Sequence, residues 1–299
     1  MSQWLIGLAG TDEGHWLAVG LALLAALTHA IFGALQKGRF DPWLMRGAMD
    51  FSYGLMAAPF ALFVVPWPEP HMWIIFAGVL PIHLGYKLFQ AMAYSRGAYT
   101  VVYPVVRGTG PLITVLIAGI VFNERFSATQ WLGVALLLGA IFALAGVNIQ
   151  ATHVGRGRLL QALGLAFVTG LFVALYTTYD AYGIRATADP FTFLAWFFMI
   201  DGIIFPFISA RHYKRMADKP ALAPLMRRGF LGGLIAYASF GSVMMATRLD
   251  TVGEAAVLRE TSVVFAALIG WFFLKEKVGL ARGMLMALIA LGAVVVEFG

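Results

Sequence analysis

The 299-residue chain has no cysteine, which excludes disulfides, thiol nucleophiles and thiolate metal sites. It is also short of charge. Only 12% of its residues are charged, about half of the roughly 25% usual in soluble domains. Meanwhile 61% are hydrophobic, and mean hydropathy is +0.82. That leaves too little polar surface to face water, so lipid is the expected solvent. Met1 to His15 holds Asp12 and Glu13 but no Lys or Arg, so the positive region of a secretory signal is not expected there. Enzyme signatures are missing too: there is no His-Glu-x-x-His, no glycine-flanked serine elbow and no aspartate pair. No repeated filter motif argues for a channel. An enzyme, a metal site and a cofactor are therefore not expected. The net charge of +6 lies between apolar runs, which suits lipid phosphate and cytoplasmic loops rather than nucleic acid.

What is present is a series of long apolar runs, at 16–36, 44–65, 71–95, 98–121, 127–146, 158–180, 190–210, 228–249, 252–273 and 278–297. Each approaches the roughly 20 residues that a helical span needs. Barrel strands would alternate apolar and polar residues, and these runs do not. The expected fold is an all-α integral membrane protein with ten transmembrane helices. With both termini on one side, that side's loops hold Arg125, Arg185 and Arg248. The opposite set is far more basic, running from Lys37, Arg39 and Arg46 through Arg211–Arg228 to Lys275, Lys277 and Arg282. The positive-inside rule then places both termini on the periplasmic side of a bacterial inner membrane. Trp16, Trp43, Trp67 and Trp73 are expected to form interfacial belts.

The chain also repeats itself. An offset of 152 maps Ser95-Arg96 onto Thr247-Arg248, Arg107 onto Arg259, and Glu124-Arg125 onto Glu276-Lys277. Phe32-Gly33-Ala34-Leu35 matches Phe172-Val173-Ala174-Leu175 at 140, and Asp41-Pro42 matches Asp189-Pro190 at 148. Residues 1–150 and 151–299 then form two five-helix repeats. An odd number of spans per repeat inverts the second relative to the first, as in secondary transporters that work by alternating access.

Pro111, Phe122-Asn123-Glu124-Arg125-Phe126 and the stretch Gln130-Trp131-Leu132-Gly133 to Gly139 carry a family resemblance. With the looser second copy around Leu274–Lys277 and Gly279–Gly292, in which Val263 stands for the proline, the chain resembles EamA-like members of the drug/metabolite transporter superfamily. Amino-acid exporters of the YddG type are similar to it in style. The resemblance implies a central cavity lined by the first, third, fourth, sixth, eighth and ninth helices, with the fifth and tenth outside. It also implies export of amino acids or other small metabolites. Related exporters of cationic drugs have a glutamate in the first helix, which is absent here.

Charges at bilayer depth are costly and normally mark function. Arg107, followed by Gly108, Gly110 and Pro111, and its counterpart Arg259 are the leading candidates. A guanidinium fork suits a carboxylate, although Glu260 or Glu254 could instead pair with either arginine. His83, Lys87, Gln90 and Tyr94 fall on one helical face, with Tyr86 beside it. They are expected to line the cavity, or Lys87 to snorkel to the interface. His29 shares a face with Gly33 and could titrate. Tyr99 and Tyr103 share Arg107's face, and Tyr176, Tyr179, Trp196, Asp201, Tyr237 and Ser242 add polar handles. Glu124 and Glu276 read as structural. The substrate-binding set is therefore Arg107, Arg259, His29, His83, Tyr86, Gln90, Tyr99, Tyr103, Tyr176, Tyr179 and Tyr237. The expected function is a secondary transporter, acting as a monomer in the lipid bilayer, that exports small metabolites such as amino acids. Organic cations, drugs or phosphorylated metabolites are the alternative substrates.

Overall fold

A computed structural model describes residues 2–36, 40–97, 99–150, 155–274 and 279–299, without the side chains at 2, 34, 36, 99, 100 and 270–274. Lys37, Arg39, Lys275, Glu276 and Lys277 and the side chain of Tyr99, all named above, fall outside the described residues. Every regular element among those described is helical. The first half contains α1 (Ser2–Leu8), α2 (Asp12–Gln36), α3 (Pro42–Phe63), α4 (Met72–Arg96), α5 (Tyr99–Val121) and α6 (Ala128–Gln150). The second contains α7 (Arg156–Ala186), α8 (Pro190–Arg215), α9 (Leu222–Leu249), α10 (Val252–Leu258), a 3-10 turn (Arg259–Thr261), α11 (Ser262–Leu274) and α12 (Leu280–Phe298).

Eight of these helices, α2, α4 to α9 and α12, are long and apolar enough to cross a membrane. Two expected spans differ. α3 has the length but carries Arg46 and Asp50. The run 252–273 is not one helix, because the chain breaks at Arg259–Thr261 between a 7-residue and a 13-residue helix. The break coincides with two adjacent buried charges, Arg259 and Glu260. Arg46 also departs from its expected place in a loop: it lies in α3, 7% exposed, with Nε 2.7 Å from Asp50.

The matched Asp-Pro pairs show how the repeat folds. Asp41 Oδ1 accepts from the N–H groups of Trp43 and Leu44 at 2.9 and 3.2 Å. Asp189 Oδ1 accepts from Phe191 and Thr192 at 2.8 and 3.3 Å. Each aspartate caps a helix whose first residue is proline, where a missing N–H costs nothing. The two caps sit at opposite ends of the bundle. His212, near the end of α8, approaches Asp41 at 3.3 Å, while Trp67, after α3, meets Trp196 near the start of α8 at 4.9 Å. α3 and α8 therefore run antiparallel. They cross at Gly54 and Gly202, where a Cβ on Gly202 would lie 2.7 Å from the Gly54 Cα and 2.8 Å from the Asp50 carbonyl oxygen. Small residues let membrane helices approach this closely.

The halves interlock symmetrically: α3 packs on its equivalent α8 and α6 on its equivalent α12, while α2 packs on α9 and its equivalent α7 packs on α4. The last pair meets through Gly133 and Gly292 and turns Leu280, Met284, Leu291 and Phe298 outward. Both ends of the chain lie at one end of the bundle. The Gly10 N–H donates to the Leu249 carbonyl at 3.2 Å, and Ser127 Oγ donates to the Gly299 carbonyl at 3.0 Å. His15 joins the same end, contacting Asp250 and, at 3.1 Å, Glu297. Trp16, Trp67 and Trp73 are exposed as belt residues would be, while Trp43 stacks on Phe205.

Candidate functional site

Most of the polar side chains buried in the apolar bundle meet between its two halves. Arg107 projects from α5 and is 4% exposed. Its Nε lies 2.8 Å from Glu260, a charge contact rather than an aligned hydrogen bond, since neither Glu260 oxygen has a hydrogen-bond partner. Its Nη2 donates to the Arg259 carbonyl at 3.1 Å and to Ser262 Oγ at 2.7 Å. One arginine thus faces the carboxylate and adds a second donor to a backbone carbonyl at the break in the second half's helix, a carbonyl that also accepts from the Ser262 N–H. The two repeat-related arginines meet here, backbone to side chain.

Their environments differ. Among the described residues, Arg259 forms no ion pair, and its Nε has no hydrogen-bond partner although the residue is 2% exposed. At the offset of 152, Glu260 corresponds to Gly108, so two arginines share one adjacent carboxylate. Arg259 lines a cavity of about 10 Å³ with Tyr176, Thr177, Asp180 and Phe240. A neighbouring cavity of about 20 Å³ is lined by His29, Phe32, Tyr86, Gln90, Tyr94, Tyr103, Arg107 and Tyr176. Six of the expected binding residues are thereby brought together. Tyr103 lies 5.7 Å beneath the Arg107 guanidinium, and His29 stacks on Tyr103 at 6.4 Å. Gln90 donates to Tyr86 at 2.6 Å.

A third cavity, again about 10 Å³, opens on a denser charge network. Lys87 Nζ lies 2.7 Å from both Asp50 and Asp201, and it also donates to Tyr53 Oη at 3.1 Å. It is 2% exposed, so it does not snorkel. Tyr53 Oη donates to the other oxygen of Asp201. His83 Nε2 lies 3.0 and 3.2 Å from the two oxygens of Asp180, and its Nδ1 lies 3.6 Å from Asp201. Tyr53 and Asp201 are themselves equivalent positions at the offset of 148. The network as a whole is asymmetric: at the 152 offset, Ile235 and Ser239 of α9 stand where α4 has His83 and Lys87.

The second and seventh helices, α3 and α8, thus contribute Arg46, Asp50, Tyr53 and Asp201 to the interior, beyond the lining that the resemblance implies. Tyr179 and Tyr237 do not join it: Tyr179 packs over Gly78, and Tyr237 stacks on Phe198 at 4.3 Å. Glu124 accepts from the N–H groups of Val252 and Gly253 at 2.7 and 2.9 Å and so caps α10. Sequence reasoning missed Arg46, Asp50 and Asp180. The first two stand four residues apart inside an apolar run, a signal of an intrahelical ion pair. Asp180 falls at the end of a run, where it reads as a boundary residue.

Each of these cavities has room for about one water, so neighbouring helices must separate before a metabolite can enter. A larger groove of about 690 Å³ lies on the outer face between α3, α8 and α9. Its walls are mainly apolar, including Leu44, Phe51, Leu55, Ile203 and Phe207, and it suits acyl chains rather than a polar metabolite.

Comparison with known proteins agrees with this architecture. The profile of the EamA-like transporter family matches residues 16–146 and again residues 160–298. A solved structure described as "Crystal structure of protein" is similar with a TM-score of 0.74 and 18% identity, covering 96% of this chain and 98% of that one. Identity at that level shows a shared fold alone. No curated protein matches.

Proposed function

The chain belongs to the EamA-like transporter family, and on the premise that it is a multi-pass membrane transporter of the drug/metabolite superfamily, we propose that it exports amino acids by alternating access between its two halves. All ten apolar segments cross the membrane in this reading, with α10, the turn and α11 serving as one interrupted span. Both termini face the periplasm of a bacterium, and the protein acts as a monomer. Because the chain has no cysteine, a single cysteine at exposed Asp218 should be labelled only from the cytoplasmic side; labelling from outside would reverse the orientation.

The observation that carries the substrate reading is the pairing of opposite charges in one cavity. Arg259, without a carboxylate of its own, and the Asp180 carboxylate line the same closed space beside Tyr176 and Phe240. The charges of a zwitterion match that arrangement once the helices separate, its carboxylate on Arg259 and its ammonium on Asp180. Arg107, already held by Glu260, and Tyr103, Tyr86, Gln90 and His29 line the next stretch of the path. An organic cation would not use Arg259. A phosphorylated compound would need a second free arginine.

The test is exchange in proteoliposomes with three related probes: L-leucine, the amine lacking its carboxylate, and the acid lacking its ammonium. Leucine should exchange, and each truncated probe should fall by about tenfold or more, because it leaves one buried charge of the site unpaired. An amine that exchanges as well as leucine would move the reading to organic cations. If only phosphorylated compounds exchanged, the zwitterion site would be wrong.

A further inference from the structure

Resting on that reading of Asp180, we propose that His83 with Asp180 and Asp201 is a proton-binding latch between the halves, and that one proton is exchanged for each substrate. His83 belongs to α4 in the first half, and the two aspartates belong to α7 and α8 in the second. All three are at least nine-tenths buried.

The geometry calls for two protons on the ring. A neutral imidazole has one N–H and one lone pair. Nε2 faces both oxygens of Asp180, at 3.0 and 3.2 Å, and uses an N–H there. Nδ1 faces an Asp201 oxygen at 3.6 Å. In a neutral ring that approach would set a lone pair against a carboxylate. An imidazolium presents an N–H⁺ to each side, hydrogen-bonded to Asp180 of α7 and in charge contact with Asp201 of α8.

The surrounding charges leave this role to His83. On α4, Lys87 bridges Asp201 and Asp50; on α3, Arg46 holds Asp50 and Tyr53 donates to Asp201. From α7, the Tyr176 ring lies 5.0 Å from that of His83. From the 3-10 turn, Arg259 lines the cavity that Asp180 also lines. Arg46 and Lys87 balance Asp50 and Asp201, so Asp180 is the carboxylate left for the imidazolium. By contrast, His29 shares its cavity with Arg107 and stacks on Tyr103, with no carboxylate lining the space. A proton there would stand beside a guanidinium.

Exchange follows from competition for one carboxylate. The substrate's ammonium, on reaching Asp180, takes the partner of the Nε2–H. The imidazolium then faces two bound cations, the ammonium and Lys87, and releases its proton to the side from which the substrate entered. When the substrate leaves on the other side, water returns a proton to His83 and the latch re-forms. No co-reactant is needed beyond water and hydronium.

The test uses wild-type protein in proteoliposomes containing a trapped pH indicator, with L-leucine and L-phenylalanine as probes. Net movement of either should carry about one proton in the opposite direction, and an imposed pH gradient should drive accumulation, as competition for a single carboxylate requires. In His83→Gln, protons moved per amino acid should fall below about one tenth of that, since an amide cannot take up a proton. A second measurement needs no variant. In ¹⁵N-histidine protein at neutral pH, a doubly protonated histidine should become neutral when leucine is added, while His15, held beside Asp250 and Glu297, keeps its state. Net movement of the amino acids with no proton movement overturns the latch, as does a His83→Gln protein that still moves a proton per molecule, or a histidine spectrum that leucine leaves unchanged. Failure of both amino acids to exchange at all would instead overturn the substrate reading.

Discussion

Replacing Arg259 with glutamine is expected to lower leucine exchange by about 10- to 100-fold. Charge-assisted and bidentate contacts to a carboxylate are worth about 1.5–3 kcal/mol, and each 1.4 kcal/mol is a tenfold factor. In Arg259→Gln the substrate carboxylate would enter a closed, largely apolar space with no cation to receive it. The amine probe, which has no carboxylate, should lose little, so the preference between the two should reverse. The variant should also fold, because Glu260 keeps Arg107 at 2.8 Å and Asp180 keeps His83 at 3.0 Å when Arg259 is lost. Arg107 provides the contrast. Its removal strands Glu260, which is 0% exposed, and takes a donor from the Arg259 carbonyl and the Ser262 hydroxyl at the break in the helix. Exchange in liposomes, normalised to folded protein, decides the matter. An Arg259→Gln protein that exchanges leucine within about threefold of the wild type would remove the arginine from the substrate path, since so small a change is under 1 kcal/mol.

Replacing Lys87 with methionine should be the most damaging of these changes to the fold. Methionine fills similar volume but leaves Asp50 and Asp201 without the cation that now lies 2.7 Å from each. Removing one partner of a buried ion pair costs about 3–5 kcal/mol, because a charge is left in a medium that solvates it poorly. Arg46 still faces Asp50, and Tyr53 still donates to Asp201, so collapse need not be complete. The expected result is a large drop in the thermal midpoint of detergent-purified protein, read by tryptophan fluorescence and monodispersity. Adding Asp50→Asn to Lys87→Met should recover part of the loss, as coupled members of one network do. A Lys87→Met protein with an unchanged midpoint would mean that the lysine reaches water after all.

The sequence carried a good deal of this. The apolar runs locate helices because a helix satisfies its backbone internally and so survives in lipid. The Asp-Pro pairs state their own function, since an aspartate before a proline caps a helix by local geometry. The constant offset linking Arg107 to Arg259 anticipates that symmetry brings them to the interface. The polar face of α4 was legible from helical periodicity, and His29, Tyr86, Gln90, Tyr103, Arg107 and Tyr176 do line one cavity.

Periodicity says which face of a helix is polar, but not what stands opposite it. Lys87 could read as a snorkelling residue because Asp50 and Asp201, its partners, lie on other helices 37 and 114 residues away. Arg46 could read as a loop charge until packing of α3 against α8 buried it. The run 252–273 looks continuous in hydropathy, and its break at Arg259–Thr261 shows only in the structure, where Arg107 of the other half donates to the Arg259 carbonyl. The sequence by itself thus determined the membrane class, the repeated halves and the polar faces, all of which follow from local preference and composition. The charge partners, the cavity that Arg259 shares with Asp180 and the bridging position of His83 were decided by tertiary structure alone, because each depends on which helix comes within about 4 Å.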